Sequence, residues 1–166
     1  MKRIIISIAV ASLIAVFAVP ALAKKKRVIR AAGGTNIGGV GLVIDASYDP
    51  RFDNFVPGYK VINVAVINQS FNIIHLDPDD DRWKIKLVGK KKLVPVIHDL
   101  RRAAPKTWAK LSEKARNIMS YPLFIPVGAR QVIDVFVPDS VDAANFTELD
   151  IFLKSLNVRI EVLSRQ

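Results

Sequence analysis

The sequence predicts a mainly β domain, a sandwich or barrel of short antiparallel strands interrupted by one helix. Two observations predict it. Apolar and polar residues alternate with period two through most of residues 40–163, with turn residues between the runs. Only residues 105–119 show helical spacing instead. About eight or nine strands fit between the turns, and many short strands favour an antiparallel design over a parallel sheet.

The elements follow in order. Lys2 and Arg3 precede an uncharged apolar stretch over residues 4–17. Pro20 then leads into Ala21-Leu22-Ala23, small residues at alternate positions that suit signal peptidase. Residues 1–23 are therefore expected to be a cleaved signal peptide that sends the protein to the periplasm or the medium. The alternative is an uncleaved anchor, because a bilayer is spanned by roughly 20 apolar residues and the following Lys24, Lys25, Lys26 and Arg27 resist translocation. Membrane attachment is expected only in that case. Residues 24–39 read as a basic, glycine-rich, flexible lead-in, since five of the eight glycines fall within residues 31–41. Neither ending of a phosphate-cradling loop is present there.

Residues 40–166 form the domain. Residues 40–46 give a first apolar run, and residues 59–67 are apolar on both faces, as in a central covered strand. Residues 71–76 are expected to pair with that strand. Over residues 82–88, Trp83, Ile85 and Leu87 alternate with Arg82, Lys84 and Lys86. A basic turn leads to residues 93–98, where Pro95 marks an edge. Pro105 opens the helix, with Trp108, Leu111, Ala115 and Ile118 on its apolar stripe. Strand signals resume at residues 123–127, 131–137, 148–154 and 158–163. In the third of these, Leu149, Ile151 and Leu153 point inward and Glu148, Asp150 and Phe152 outward.

Composition excludes several classes. With no cysteine there are no disulfides, thiolate metal sites or cysteine nucleophiles. The core alone must hold the mature chain. The net charge of +10 is mostly terminal: residues 31–166 carry 18 basic against 15 acidic side chains. Specific nucleic-acid binding is not expected from so small an excess without interleaved exposed aromatics.

One stretch carries a resemblance. Tyr59-Lys60-Val61-Ile62-Asn63-Val64-Ala65-Val66-Ile67-Asn68-Gln69-Ser70 resembles the strand-then-Asn-x-Ser corner of bacterial exported immunoglobulin-like domains of the telokin-like kind. Ile125-Pro126-Val127-Gly128 and Val135-Phe136-Val137-Pro138 are similar to that group's Pro-x-Gly turn and closing strand. The likeness runs in order over roughly residues 40–163 and implies an immunoglobulin-like antiparallel β-sandwich with one inserted helix. It also implies a non-enzymatic binding or structural role in the cell envelope, with an envelope protein or an anionic surface as partner. It brings no catalytic residues and no cofactor. The helix departs from the group's all-β pattern.

Three polar constellations remain. Asp77, Asp79 and Asp81 with His75 have the alternating carboxylates of calcium loops, because hard cations take several oxygens from one turn. Arg82 and Val88 stand where an EF-hand needs Gly and Glu, so an acidic turn is the default reading and a metal site or hydrolase the alternative. His75 and His98 each neighbour an aspartate, yet no nucleophile elbow or zinc-helix motif accompanies them. Lys106, Lys110 and Lys114 recur every fourth residue opposite the apolar stripe, with Arg101 and Arg102 upstream. Together they offer a basic ridge to anionic lipid or lipopolysaccharide, against the plainer reading of a solvated helix face.

Overall fold

A computed structural model describes residues 27–164. The expected signal segment and Lys24 to Lys26 lie outside the described residues. No described helix is long and apolar enough to cross a membrane.

The fold is mainly β, built from several sheets that do not close into a barrel. In chain order the strands are β1 (Arg27–Ala32), β2 (Asn36–Ile37), β3 (Leu42–Tyr48), β4 (Tyr59–Asn68), β5 (Ile74–His75), β6 (Arg82–Leu87), β7 (Val94–Pro95), β8 (Phe124–Ile125), β9 (Arg130–Pro138), β10 (Phe146–Leu153) and β11 (Val158–Leu163). Three short helices lie between β7 and β8: α1 (Leu100–Ala103), α2 (Pro105–Lys110) and α3 (Glu113–Met119). The first sheet has the order β1-β11-β10-β6-β7 and the second β2-β3-β4-β9, while β5 and β8 form a separate ribbon. All pairs are antiparallel except β1 with β11.

Both sheets turn their apolar residues to one core. Ile44, Val64 and Val135 of the second sheet cluster with Ile85, Ile151 and Ile160 of the first. Leu149, Ile151 and Leu153 are buried as their alternation predicts. Pro95 does end the sheet, with β7 at its edge. Just beyond it, Ile97 donates its N–H to the Phe136 carbonyl at 2.9 Å and accepts from the Phe136 N–H at 2.7 Å. The chain thereby passes from the margin of one sheet to the margin of the other.

Several expectations are corrected. The flexible lead-in is sheet from Arg27 onward, because Ile29 and Ala31 pack on the core and the backbone pairs with β11. The first strand therefore also breaks the all-antiparallel expectation. Residues 71–76 do not pair with β4; Ile74 and His75 pair with Ile125 and Phe124 instead. The single helix over residues 105–119 is broken, since Leu111 turns extended (ψ 147°) and Ser112 caps a new helix by accepting from the Ala115 N–H. The break rotates the stripe, so Ile118 is 64% exposed and Met119 takes the buried place. Trp108, Leu111, Ala115 and Met119 cover Val61 and Phe136 on the outer face of the second sheet.

Glu148 and Asp150 face outward yet are buried. Arg159 pairs with Asp150, and Arg30 reaches Glu161 at 2.7 Å and Glu148 at 3.9 Å, so guanidiniums from β1 and β11 roof the carboxylates of β10.

The corner after β4 explains the Asn-x-Ser stretch. The buried Asn68 amide donates to the carbonyls of Asn72 (2.8 Å) and Ile125 (3.0 Å), while its oxygen accepts from the Ser70 N–H and hydroxyl. Gly41 packs against this corner with φ of 65°, and a Cβ there would lie 2.8 Å from Ser70 Cα. Gly41→Ala is expected to cost about 2–3 kcal/mol through the left-handed backbone and the clash. Urea denaturation checks this; a loss near zero would show that the corner yields.

Candidate functional site

The acidic turn, the histidine and the arginines meet at one corner of the molecule. Asp77 stabilises its own turn, its Oδ1 accepting the N–H groups of Asp79 (2.9 Å) and Asp80 (3.3 Å). Asp81 is fully buried, and its carboxylate joins three segments. Oδ2 accepts from the Asp77 N–H at 2.8 Å and the Tyr121 hydroxyl at 2.9 Å, and Oδ1 accepts from the Lys154 N–H at 2.9 Å. Thus the turn before β6, the segment after α3 and the β10–β11 turn share one acceptor. Asp79 pairs with Arg102, and Asp80 lies 3.4 Å from the Lys154 ammonium. The Arg102 side chain holds the Asp79 carboxyl below its ordinary range.

Beside this carboxylate sits an aromatic group. The His98 ring stacks on Trp83 with centroids 6.1 Å apart and meets Tyr121 edge-on at 4.8 Å. His98 Nε2 lies 3.2 Å from the Pro78 carbonyl, which can only accept, so Nε2 carries the proton. Nδ1 is buried with no hydrogen-bond partner among the described residues. Burial holds the His98 pKa below its ordinary value, because a second proton would be buried on Nδ1 without an acceptor. Tyr121 is shifted upward, first by burial and then by the Asp81 charge, so its hydroxyl stays protonated.

Two hollows flank the corner. One of about 440 Å³ is lined by Asp99, Arg101, Arg102, Ser120, Tyr121 and Leu123. The other, of about 340 Å³, runs past Asp79, Ile97, His98 and Asp99. Hollows of about 560 Å³ beside Arg27 and about 570 Å³ beside Tyr48 are larger, but neither is lined by a histidine or an acid.

The proposed residues thus separate. Asp77, Asp79 and Asp81 do not converge on a common cation position; each carboxylate already serves the protein's own donors. His75 is exposed on β5, opposite Phe124, and apart from that set. Lys106 and Lys110 lie on α2 and Lys114 on α3, all exposed and without ion pairs among the described residues. The extended break at Leu111 and Ser112 interrupts the continuous helix face that their spacing implied. Arg101 is exposed on α1, whereas Arg102 is held by Asp79 and by Asp99 at 3.3 Å.

Sequence reasoning missed another cluster. Glu148, Asp150 and Glu161 bring carboxylate oxygens within 4.8 Å of one another. Outward alternation on β10 and β11 was visible, but only the register that sets Asp150 beside Glu161 shows them to be neighbours. Arg30 and Arg159 already pair with this group.

The tyrosine of the corner is locked as a donor to Asp81, and the free lone pair of its histidine is buried. Comparison with protein-family models, curated proteins and solved structures gave no match.

Two measurements probe the corner. Asp81→Ala removes the shared acceptor of three part-buried donors and is expected to cost about 3 kcal/mol in urea denaturation, with Asp81→Asn costing less. His98 has the opposite linkage to a paired histidine. Its folded pKa lies below the unfolded value of 6.5, so the unfolded chain takes up the proton first and stability falls as pH drops below that value. His98→Phe should flatten the stability profile between about pH 7.5 and 5.5; parallel profiles for the two proteins would contradict the burial of a neutral ring.

Proposed function

We propose that the chain is a non-enzymatic binding or structural module of the bacterial cell envelope, exported by residues 1–23 and folded as an immunoglobulin-like β-sandwich. Two sheets over a shared core support the sandwich reading. The anchoring of the acidic turn in structural bonds favours binding over hydrolysis or metal chemistry.

One observation carries the binding role. Around the β5–β8 ribbon, Phe71 is 96% exposed, and Ile73, Leu123 and Phe124 are each more than half exposed. Pairing of His75 with Phe124 and Ile74 with Ile125, and the bond from the Leu76 N–H to the Leu123 carbonyl, places Ile73, Leu123 and Phe124 along one ribbon, with Phe71 in the bend that leads into it. Single exposed apolar residues are ordinary, but a group of them marks an interaction surface. The surface suits an apolar segment of an envelope protein, which would bury the Phe71 and Phe124 rings.

A photo-reactive phenylalanine placed at position 71 in producing cells tests this. The expected product is an adduct with an envelope protein, abolished by Phe124→Ser, with the mature chain starting at Lys24. Recovery of the chain in the cytoplasm with residues 1–23 attached, or no adduct from residue 71, would defeat the reading.

A further inference from the structure

The second sheet ends on a strand whose outer edge is mostly open. β9 pairs with β4 on one side. On the other, the described residues bridge it only at Phe136, through Ile97. Because the Phe136 N–H and C=O both point away from β4, alternation directs the backbone groups of Arg130, Val132 and Asp134 the same way. The Gln131 amide makes a long 3.4 Å contact to the Val132 carbonyl. Native edges are normally blocked by charged side chains, lysine above all, by proline or by a bulge, and the only charges on this stretch are Arg130 and Asp134. Residues 130–134 contain neither lysine nor proline, their register with β4 is regular, and Val132 is half exposed.

This short edge is self-complementary. Turned antiparallel about Val132, Arg130-Gln131-Val132-Ile133-Asp134 sets Arg130 opposite Asp134, and Val132 against its own copy. Both charged residues have reason to take such partners. Arg130 is exposed and forms no ion pair among the described residues. Asp134 is largely buried, with only the Asn63 amide (2.6 Å) bonded to its carboxylate and no described cation beside it. A parallel pairing would set like charges side by side. An antiparallel register centred nearer Phe136 would have to displace Ile97. Centring on Val132 uses the whole open stretch, leaves Ile97 in place and competes only with the long Gln131 amide contact to the Val132 carbonyl.

We propose that two copies of the chain associate through β9, antiparallel and two-fold symmetric about Val132, with Arg130 of each copy paired to Asp134 of the other. The two second sheets become one continuous sheet, and the same patch serves both subunits. The contact is short, so the dimer is reversible, dissociating in roughly the micromolar range. The association is independent of the envelope reading, which a monomer would leave standing.

Sedimentation velocity on the purified protein across a concentration series tests it. The expected result is a monomer–dimer equilibrium that Arg130→Asp weakens about tenfold by placing acid opposite acid. The chain lacks cysteine, so Val132→Cys introduces a single thiol at the two-fold axis. It should form a disulfide-linked dimer on mild oxidation, whereas Val88→Cys, at an exposed position after β6, should not. A monomer at every concentration up to about ten times that range would overturn the proposal. So would a dimer indifferent to Arg130→Asp, or one that cross-links equally at both positions.

Discussion

The buried carboxylate of Asp81 is the constraint around which the corner of this fold is built. A carboxylate taken from water must recover its lost hydration from fixed donors. Here those donors come from residues far apart in sequence: the N–H groups of Asp77 and Lys154 and the hydroxyl of Tyr121. In a chain without cysteine, one acceptor does at this corner what a cross-link does elsewhere. Asn68 performs the same service at the end of β4, joining its own turn to β8 through both ends of its amide. Each polar cross-link depends on complete satisfaction, since a half-satisfied buried group is worse than an apolar one.

The two sheets bury their inner faces in the same way but treat their outer faces differently. The first pairs its outward acids with Arg30 and Arg159 in an ionic layer. The second is covered by helices where Val61 and Phe136 lie, while Val132 further along the same strand remains half exposed. Helix cover and edge cover therefore coincide near Phe136, and the strand is left open beyond it. The open stretch and the apolar β5–β8 ribbon leave sheet edge and apolar surface available to a partner.

Polar chemistry and surface chemistry are thus separated. Asp81 and His98 are drawn inward, Asp77 and Asp81 fix the turn, and burial holds the His98 pKa below its ordinary value. The exposed residues with unused contact capacity are mainly apolar or basic.

The mainly β class, the inward set Leu149, Ile151 and Leu153, the central position of β4 and the edge position of Pro95 were all legible in the sequence. Each follows from local periodicity or from the chemistry of one residue. The helical region was legible, but its phase was not, because Ser112 reset the stripe and exchanged Ile118 for Met119. Residues 27–37 looked like linker because glycine suggested freedom, whereas pairing of β1 with the distant β11 and of β2 with β3 determined their structure. The candidate site shows the same division. Spacing singled out Asp77, Asp79 and Asp81 with His75, and Arg102 in a basic ridge, but only the folded chain set Arg102 against Asp79, bound Asp81 to the Asp77 N–H and left His75 apart. Local sequence sets the preferences of a segment; the partner of a buried charge is chosen by packing that joins residues many positions apart.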